Sequence, residues 1–238
     1  MKPLADEEIR EKLATCARML NKLGLFNIFG HVSARVPGKE QFYITATLGS
    51  VSKDEEFTTE GLVLCDYTGR KLSGNGTVPL EVVIHSALHK GREDAACVVH
   101  VHPFYSMTLA IAGIPFRPVN LQGAPLGGKV PVYRRSELLI NENHGRKLIR
   151  AIGKAKAILL RGHGVVTVGA TVEEAFFLTV YLEDNCRTLL EASKAGEKVI
   201  YLTRPEIKEW VDKVTAEAEA RGGNPYKRIF NLWLRGIE

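Results

Sequence analysis

At 238 residues, 45% of them hydrophobic, the chain has enough apolar material for one sizeable core or at most two small ones. No apolar run reaches the length of a bilayer span, and the net charge of +5 is spread among interspersed acidic residues, which argues against a nucleic-acid surface. Cys16, Cys65, Cys97 and Cys186 are scattered without a C-x-x-C pair, so neither a disulfide framework nor a cysteine zinc knuckle is expected.

The opening residues Met1 to Glu8 hold no apolar signal core, and the chain reads as cytoplasmic. From Asp6 an amphipathic pattern places Ile9, Leu13, Ala17 and Leu20 on one helix face, with Gly24 ending it. Val32–Val36 and Gln41–Ala46 alternate like paired strands across Pro37-Gly38, and Leu62–Cys65 reads as a third strand before the turn Asp66–Gly69. A loop over residues 73–78 leads to Pro79, which suits the first turn of a helix running to about Lys90. Residues 95–102 form an apolar strand carrying two histidines, and Pro103 opens a further helix.

Short strands are expected around Pro118–Leu121 and Val130–Tyr133, and a helix capped by Ser136 runs to about Ile152. Its neighbourhood holds Lys147, Arg150, Lys154 and Lys156, which read as a solvated helix face whose mild basicity suits an anionic small molecule. Ala157–Leu160 and Val165–Val168 flank the loop Arg161-Gly162-His163-Gly164. Thr171 and Glu174 form a capping box for a long helix towards Gly196, and two terminal helices follow Pro205 and Asn224-Pro225. The order of elements is too irregular for a barrel or a doubly wound fold, so the expected class is α/β with a mostly antiparallel or mixed sheet. A single domain over 1–238 is expected, with its core in about 6–195 and a helical extension over about 205–238.

The histidines carry the chemistry. In Val99-His100-Val101-His102 the two imidazoles point to the same face of a strand that otherwise reads as buried. Buried polar rings need partners: hydrogen bonds within the core, or a metal ion, for which neutral imidazole is the commonest ligand. His163 lies between two glycines that leave it accessible. Glu81 sits at the start of the helix after Pro79, one turn from His85 and two from His89, both of which read as helix-face histidines with local partners. His144 reads as solvated. Three histidines with a carboxylate suit Zn²⁺ or a similar divalent ion, and a glutamate able to leave the metal can then serve as a base.

Taken together, Gly30-His31-Val32-Ser33-Ala34-Arg35, Glu81 with His85, Val99-His100-Val101-His102 and Arg161-Gly162-His163-Gly164 resemble the class II aldolase/adducin family over about residues 6–195. The resemblance implies a three-layer α/β/α fold and one divalent ion per subunit, Zn²⁺ or Mn²⁺. It implies His100, His102 and His163 as metal ligands, and Glu81 as fourth ligand and acid/base. It also implies a homotetramer with sites at subunit boundaries. The family's sugar-phosphate enzymes read Gly-Asn where this chain has Gly30-His31, carry serines where it has Val78-Pro79-Leu80, and use a tyrosine that is missing from Arg117–Gly123. A phosphate needs charge-assisted donors, so the loss turns the reading to the decarboxylase branch, whose members act on hydroxylated aromatic or pyridine dicarboxylates. Within it, His31 is the candidate to position the carboxylate or deliver a proton, and Arg35, Thr45 and Arg161 are candidates for substrate binding. A sugar-phosphate aldolase, epimerase or dehydratase is the alternative, and a non-catalytic adducin-like scaffold the remote one.

Overall fold

The structure is a computed structural model that describes residues 6–196, 198–220 and 223–236; residues 1–5, on which the reading of a cytoplasmic N-terminus partly rests, lie outside them. The first helix, α1 (Asp6–Lys22), has Asp6, Glu7 and Glu8 in its first turn and Lys22 in its last, which complements the helix dipole. It buries the expected stripe, Ile9, Leu13, Ala17 and Leu20, together with Cys16. Strands β1 (His31–Arg35) and β2 (Gln41–Thr45) form the expected hairpin, and β3 (Leu62–Asp66) pairs with β2.

A strand that the apolar pattern does not signal, β4 (Lys71–Ser73), pairs with β3 across the Asp66–Gly69 turn. All three of its residues are exposed, so it has no buried face to leave a periodic trace. Helix α2 (Val82–Gly91) leads to β5 (Cys97–Val101), and α3 (Phe104–Ile111) follows directly. The remaining elements are β6 (Val132–Tyr133), α4 (Glu142–Ile152), β7 (Ala157–Leu160), β8 (Gly164–Gly169), α5 (Val172–Lys194), α6 (Arg204–Ala220) and α7 (Lys227–Arg235).

The strands make one sheet in the order β4-β3-β2-β1-β5-β8-β7-β6. Every pairing is antiparallel except β6 with β7, so the sheet is mixed, as the sequence suggests. Helices cover both faces, and alternate residues of one strand enter different cores. Val99 and Val101 pack with α1, α3 and α5, whereas Val98 packs with Ile84 and Leu88 of α2 and Leu148 of α4. Burial on both faces explains why β5 reads as a continuous apolar run, and each fully buried aliphatic or aromatic side chain contributes about 1.5–3 kcal/mol. No helix among the described residues is long and apolar enough to cross a membrane.

Two sequence expectations change. The strand expected at Pro118–Leu121 is instead irregular backbone entering a 3₁₀ turn over Leu121–Leu126. There the Val119 N–H donates to Asn185 Oδ1 of α5 at 3.1 Å, and Asn120 Oδ1 accepts from Gly123 N–H. Side chains thus meet backbone groups that a strand partner would otherwise have met. The fourth helix starts later than expected, because Asn141 caps it by accepting from His144 N–H. Ser136 instead donates to the Arg161 carbonyl at 2.8 Å, and the segment between them stays non-helical to serve the site.

Candidate metal centre

Register places the histidines before any ligand is considered. Strand β1 pairs with β5 so that His31 lies opposite His100, and cross-strand partners share a face. That face is the one under α2. His102 lies two residues beyond His100, just past the end of β5, and His163 arrives on the turn between β7 and β8. Gly162 turns the chain there with φ +66°, a left-handed conformation that suits glycine. Gly164 is required sterically, since a Cβ there would stand 2.4 Å from His102 Cδ2 and 2.5 Å from the Val101 carbonyl oxygen. Two glycines therefore let the His163 loop close onto the His102 ring.

Glu81 stands at the N-cap of α2 rather than inside its first turn, and its side chain does not cap its own helix. One oxygen accepts from Leu139 N–H at 2.8 Å. The other lies 3.0 Å from His163 Nε2 and 3.6 Å from His100 Nε2. The pull of the carboxylate on residue 139 explains why the chain between Ser136 and Asn141 cannot be helical. Burial by itself would push the Glu81 carboxyl up, but the nearness of His100, with the bonds from His163 and the Leu139 N–H, outweighs it and holds the group well below the usual carboxylate range.

The outward nitrogens decide what the cluster can bind. His100 Nδ1 donates to the Val165 carbonyl at 3.0 Å, because a carbonyl can only accept. Asn27 Oδ1 already accepts from Phe29 N–H at 3.0 Å, so it is the amide oxygen, and His102 Nδ1, 3.3 Å away, must donate to it. With each ring's Nδ1 proton committed, the two Nε2 atoms are the ones left to meet a ligand, and they face each other at 3.2 Å. Two ring nitrogens this close need a cation or a shared proton between them. One nitrogen each from His100, His102 and His163 lies within 4.8 Å of the others. Nitrogens on a tetrahedral Zn²⁺ are about 3.4 Å apart, so the spacing and donor set fit a divalent ion, with the Nδ1 bonds fixing each ring as outer-shell partners do.

The structure brings some of the remaining candidates to this cluster and leaves others out. His31 is buried beside it, its ring 5.8 Å from that of His100, and burial followed by the nearness of His100 pulls its pKa down to about 3. Arg161 sits two residues before His163 with an exposed side chain. Arg35 shares the face of His31 but lies at the far end of β1, about 13 Å along a strand. Its guanidinium donates to the carbonyls of His89, Arg92 and Glu93, closing the C-terminal end of α2. Thr45 lies one step along the register that pairs Ser33 with Ile44, on the face opposite His31, where its hydroxyl accepts from Val32 N–H at 3.1 Å. His85 and His89, expected to find local partners, are buried and share the Ser33 hydroxyl of β1, while only His89 has a partner near in sequence, the Ala95 carbonyl. His144, read as solvated, is half-buried and accepts from Ile140 N–H.

Asn27, Leu139 and Val165 were not singled out by sequence reasoning. Asn27 leaves one trace, its place two residues before Phe29 in an Asx turn; the other two act through backbone groups and leave none.

The profile of the Class II Aldolase and Adducin N-terminal domain matches residues 11–190. The chain belongs to the class II aldolase and adducin family. A 3,4-dihydroxyphthalate decarboxylase of Terrabacter sp. is 32% identical over 199 residues, covering 79% of this chain and 82% of the relative. The crystal structure of an aldolase II superfamily protein from Pseudomonas syringae superposes with a TM-score of 0.80 at 26% identity, covering 99% of this chain and 94% of that one. An L-fuculose 1-phosphate aldolase shares the fold with a TM-score of 0.76 at 19% identity, over 90% of this chain and all of the other. The three-layer α/β arrangement is thus that of the class II aldolases.

Proposed function

We propose that this family member is a divalent-metal lyase that cleaves a carbon–carbon bond, by decarboxylation of a hydroxylated aromatic or related carboxylate. The observation that carries the reading is the pair of facing Nε2 atoms on His100 and His102, completed by His163 and Glu81 and bordered by His31 rather than by phosphate-binding hydroxyls. The relatives of about 30% identity that bear the name 3,4-dihydroxyphthalate decarboxylase support the same branch. His100, His102 and His163 would hold the ion, Zn²⁺ or Mn²⁺, with Glu81 as a fourth and displaceable ligand. When bound, the ion supplies Lewis-acid stabilisation of the negative charge that develops as the bond breaks.

The protein's own groups manage position and protons. Glu81, held at one oxygen by Leu139, keeps its second oxygen at the cluster, against His163, where it can accept or return a proton. His31 contacts the substrate carboxylate and delivers a proton to the ring carbon as CO₂ departs. Arg161 pairs with a second carboxylate from the accessible side. Arg35 and Thr45 are left out of this scheme, because their polar groups are engaged elsewhere. The homotetramer belongs to the same proposal. Three large apolar side chains close to the ligands in sequence or space, Phe29, Leu80 and Phe104, are each more than 60% exposed, as a subunit boundary would require.

Incubation of Zn²⁺- or Mn²⁺-loaded protein with ortho-hydroxy aromatic carboxylates and, in parallel, ketose 1-phosphates tests the assignment. CO₂ release from the first set is expected; turnover of the phosphates alone would sink it. Light scattering is expected to give four times the chain mass.

A further inference from the structure

One backbone carbonyl orders a row of buried side chains that runs towards His31. His89 Nδ1 stands 2.8 Å from the Ala95 carbonyl, which can only accept, so the ring N–H is on Nδ1. His89 is buried, and burial pulls its pKa down to about 3, so the ring is neutral and its Nε2 is a lone pair. Ser33 Oγ, 2.8 Å from that Nε2, must therefore donate its single proton to it. With its proton committed, Ser33 can only accept from His85 Nδ1, 2.7 Å away. His85 is fully buried and kept neutral by that burial, so its own Nε2 is left as a lone pair.

That lone pair has no partner. Among the described residues, three buried side-chain nitrogen or oxygen atoms lack one: His85 Nε2, His31 Nδ1 and Arg35 Nε. Arg35 is at the His89 end of the row, where it bonds the His89 carbonyl. His31 is at the other end, its ring edge-to-face with His85 at 5.8 Å between centroids. An unmet buried acceptor and an unmet buried nitrogen that can carry a proton thus lie on neighbouring rings, and each costs free energy while it stays unmet.

We propose that His89, Ser33 and His85 form a one-way hydrogen-bond row that presents His85 Nε2 as a fixed acceptor to His31. His31 is thereby ordered, directly or through one water, as the Nδ1–H tautomer with Nε2 as its free acceptor. Ser33, His85 and His89 are positioning residues for His31. The consequence rests on the decarboxylase reading. A His31 with a bare Nε2 has no proton of its own to give at that atom. It must first take one from the substrate hydroxyl, breaking O–H and forming N–H. It returns that proton as the C–C bond breaks, forming C–H and releasing CO₂, with no net change on the ring.

Histidine-selective ¹⁵N spectra of the metal-free protein test the row without activity. Nδ1 is expected to be the protonated, pyrrole-type nitrogen in His31, His85 and His89. Ser33→Ala is expected to leave His89 unchanged, because Ala95 still binds it, and to turn His85 and His31 into tautomer mixtures; Ser33→Thr, which keeps the hydroxyl, is expected to restore the single form. His85→Gln, which cuts the row nearer its end, is expected to loosen His31 alone. A wild-type His31 protonated at Nε2, or a His31 tautomer indifferent to both Ser33→Ala and His85→Gln, would overturn the proposal. In metal-loaded enzyme Ser33→Ala is expected to lower kcat about tenfold with KM within about twofold. A correctly ordered row in a protein inactive on ortho-hydroxy carboxylates would refute only the decarboxylase reading.

Discussion

Two pairs of histidines lie where α2 meets the sheet, one on the helix and one at the end of β5, and they have opposite fates. In His85 and His89, on α2, three of the four ring nitrogens lie against Ser33 or the Ala95 carbonyl, and what remains is a single lone pair. In His100 and His102, at the end of β5, only the Nδ1 atoms are taken, and both Nε2 atoms point at one another. Burial alone therefore does not separate a structural histidine from a ligand. The destination of the second nitrogen does, because a ring with one nitrogen fixed as a donor must offer the other as an acceptor.

The contrast can be broken most severely from the ligand side. His163→Ala is expected to abolish metal retention and to cut activity by about 10³-fold or more, while the chain still folds, since the residue sits on a turn that its flanking glycines shape; metal analysis and turnover check it. Glu81→Gln keeps the size of the side chain and its bond from Leu139 but removes the charge. A loss of about 10²–10⁴-fold in kcat is expected, with metal still bound, and a variant of near wild-type kcat would remove Glu81 from the proton path. Asn27→Ala frees His102 Nδ1 without touching a ligand, and about 10–100-fold weaker metal binding is expected in a competition titration with a chelator.

The structural pair answers to pH instead. His89 titrates near 3 in the folded chain and near 6.5 when unfolded. Between those values the unfolded chain binds the extra proton, so its contribution to stability is complete above about pH 6.5 and is lost as pH falls towards 3. In metal-free protein, His89→Gln is expected to flatten the fall of urea-unfolding free energy over this window by up to about 1.4 kcal/mol per pH unit, one proton's worth. An unchanged slope would show that His89 is not held neutral.

The legible part of the molecule is the part with a period. The stripe on α1, the β1–β2 hairpin, the N-cap at Thr171 and the i, i+2 alternation of His100 and His102 all follow from side-chain direction along regular backbone, and each is found, although the Glu174 carboxylate of the expected capping box accepts from Ala170 N–H instead of Thr171 N–H. The exposed β4 was not legible because it has no buried face, and the irregular stretches around residues 118–120 and 137–140 because their hydrogen bonds go to distant side chains, Asn185 and Glu81, rather than to neighbours in sequence. Arg35 and Thr45 show the same limit within the site: their positions beside a histidine motif are visible in the chain, but the carbonyls and the amide that occupy them are not.

By itself, then, the sequence determined the residue types able to hold a cation, the faces they would occupy on helix and strand, and the family to which the pattern belongs. Only the tertiary structure decided which histidines keep a nitrogen free. That choice depends on carbonyls at Val165 and Ala95 and an amide at Asn27, groups brought within about 3 Å by sheet register and loop closure, and hydrogen bonding at that range has no counterpart in spacing along the chain.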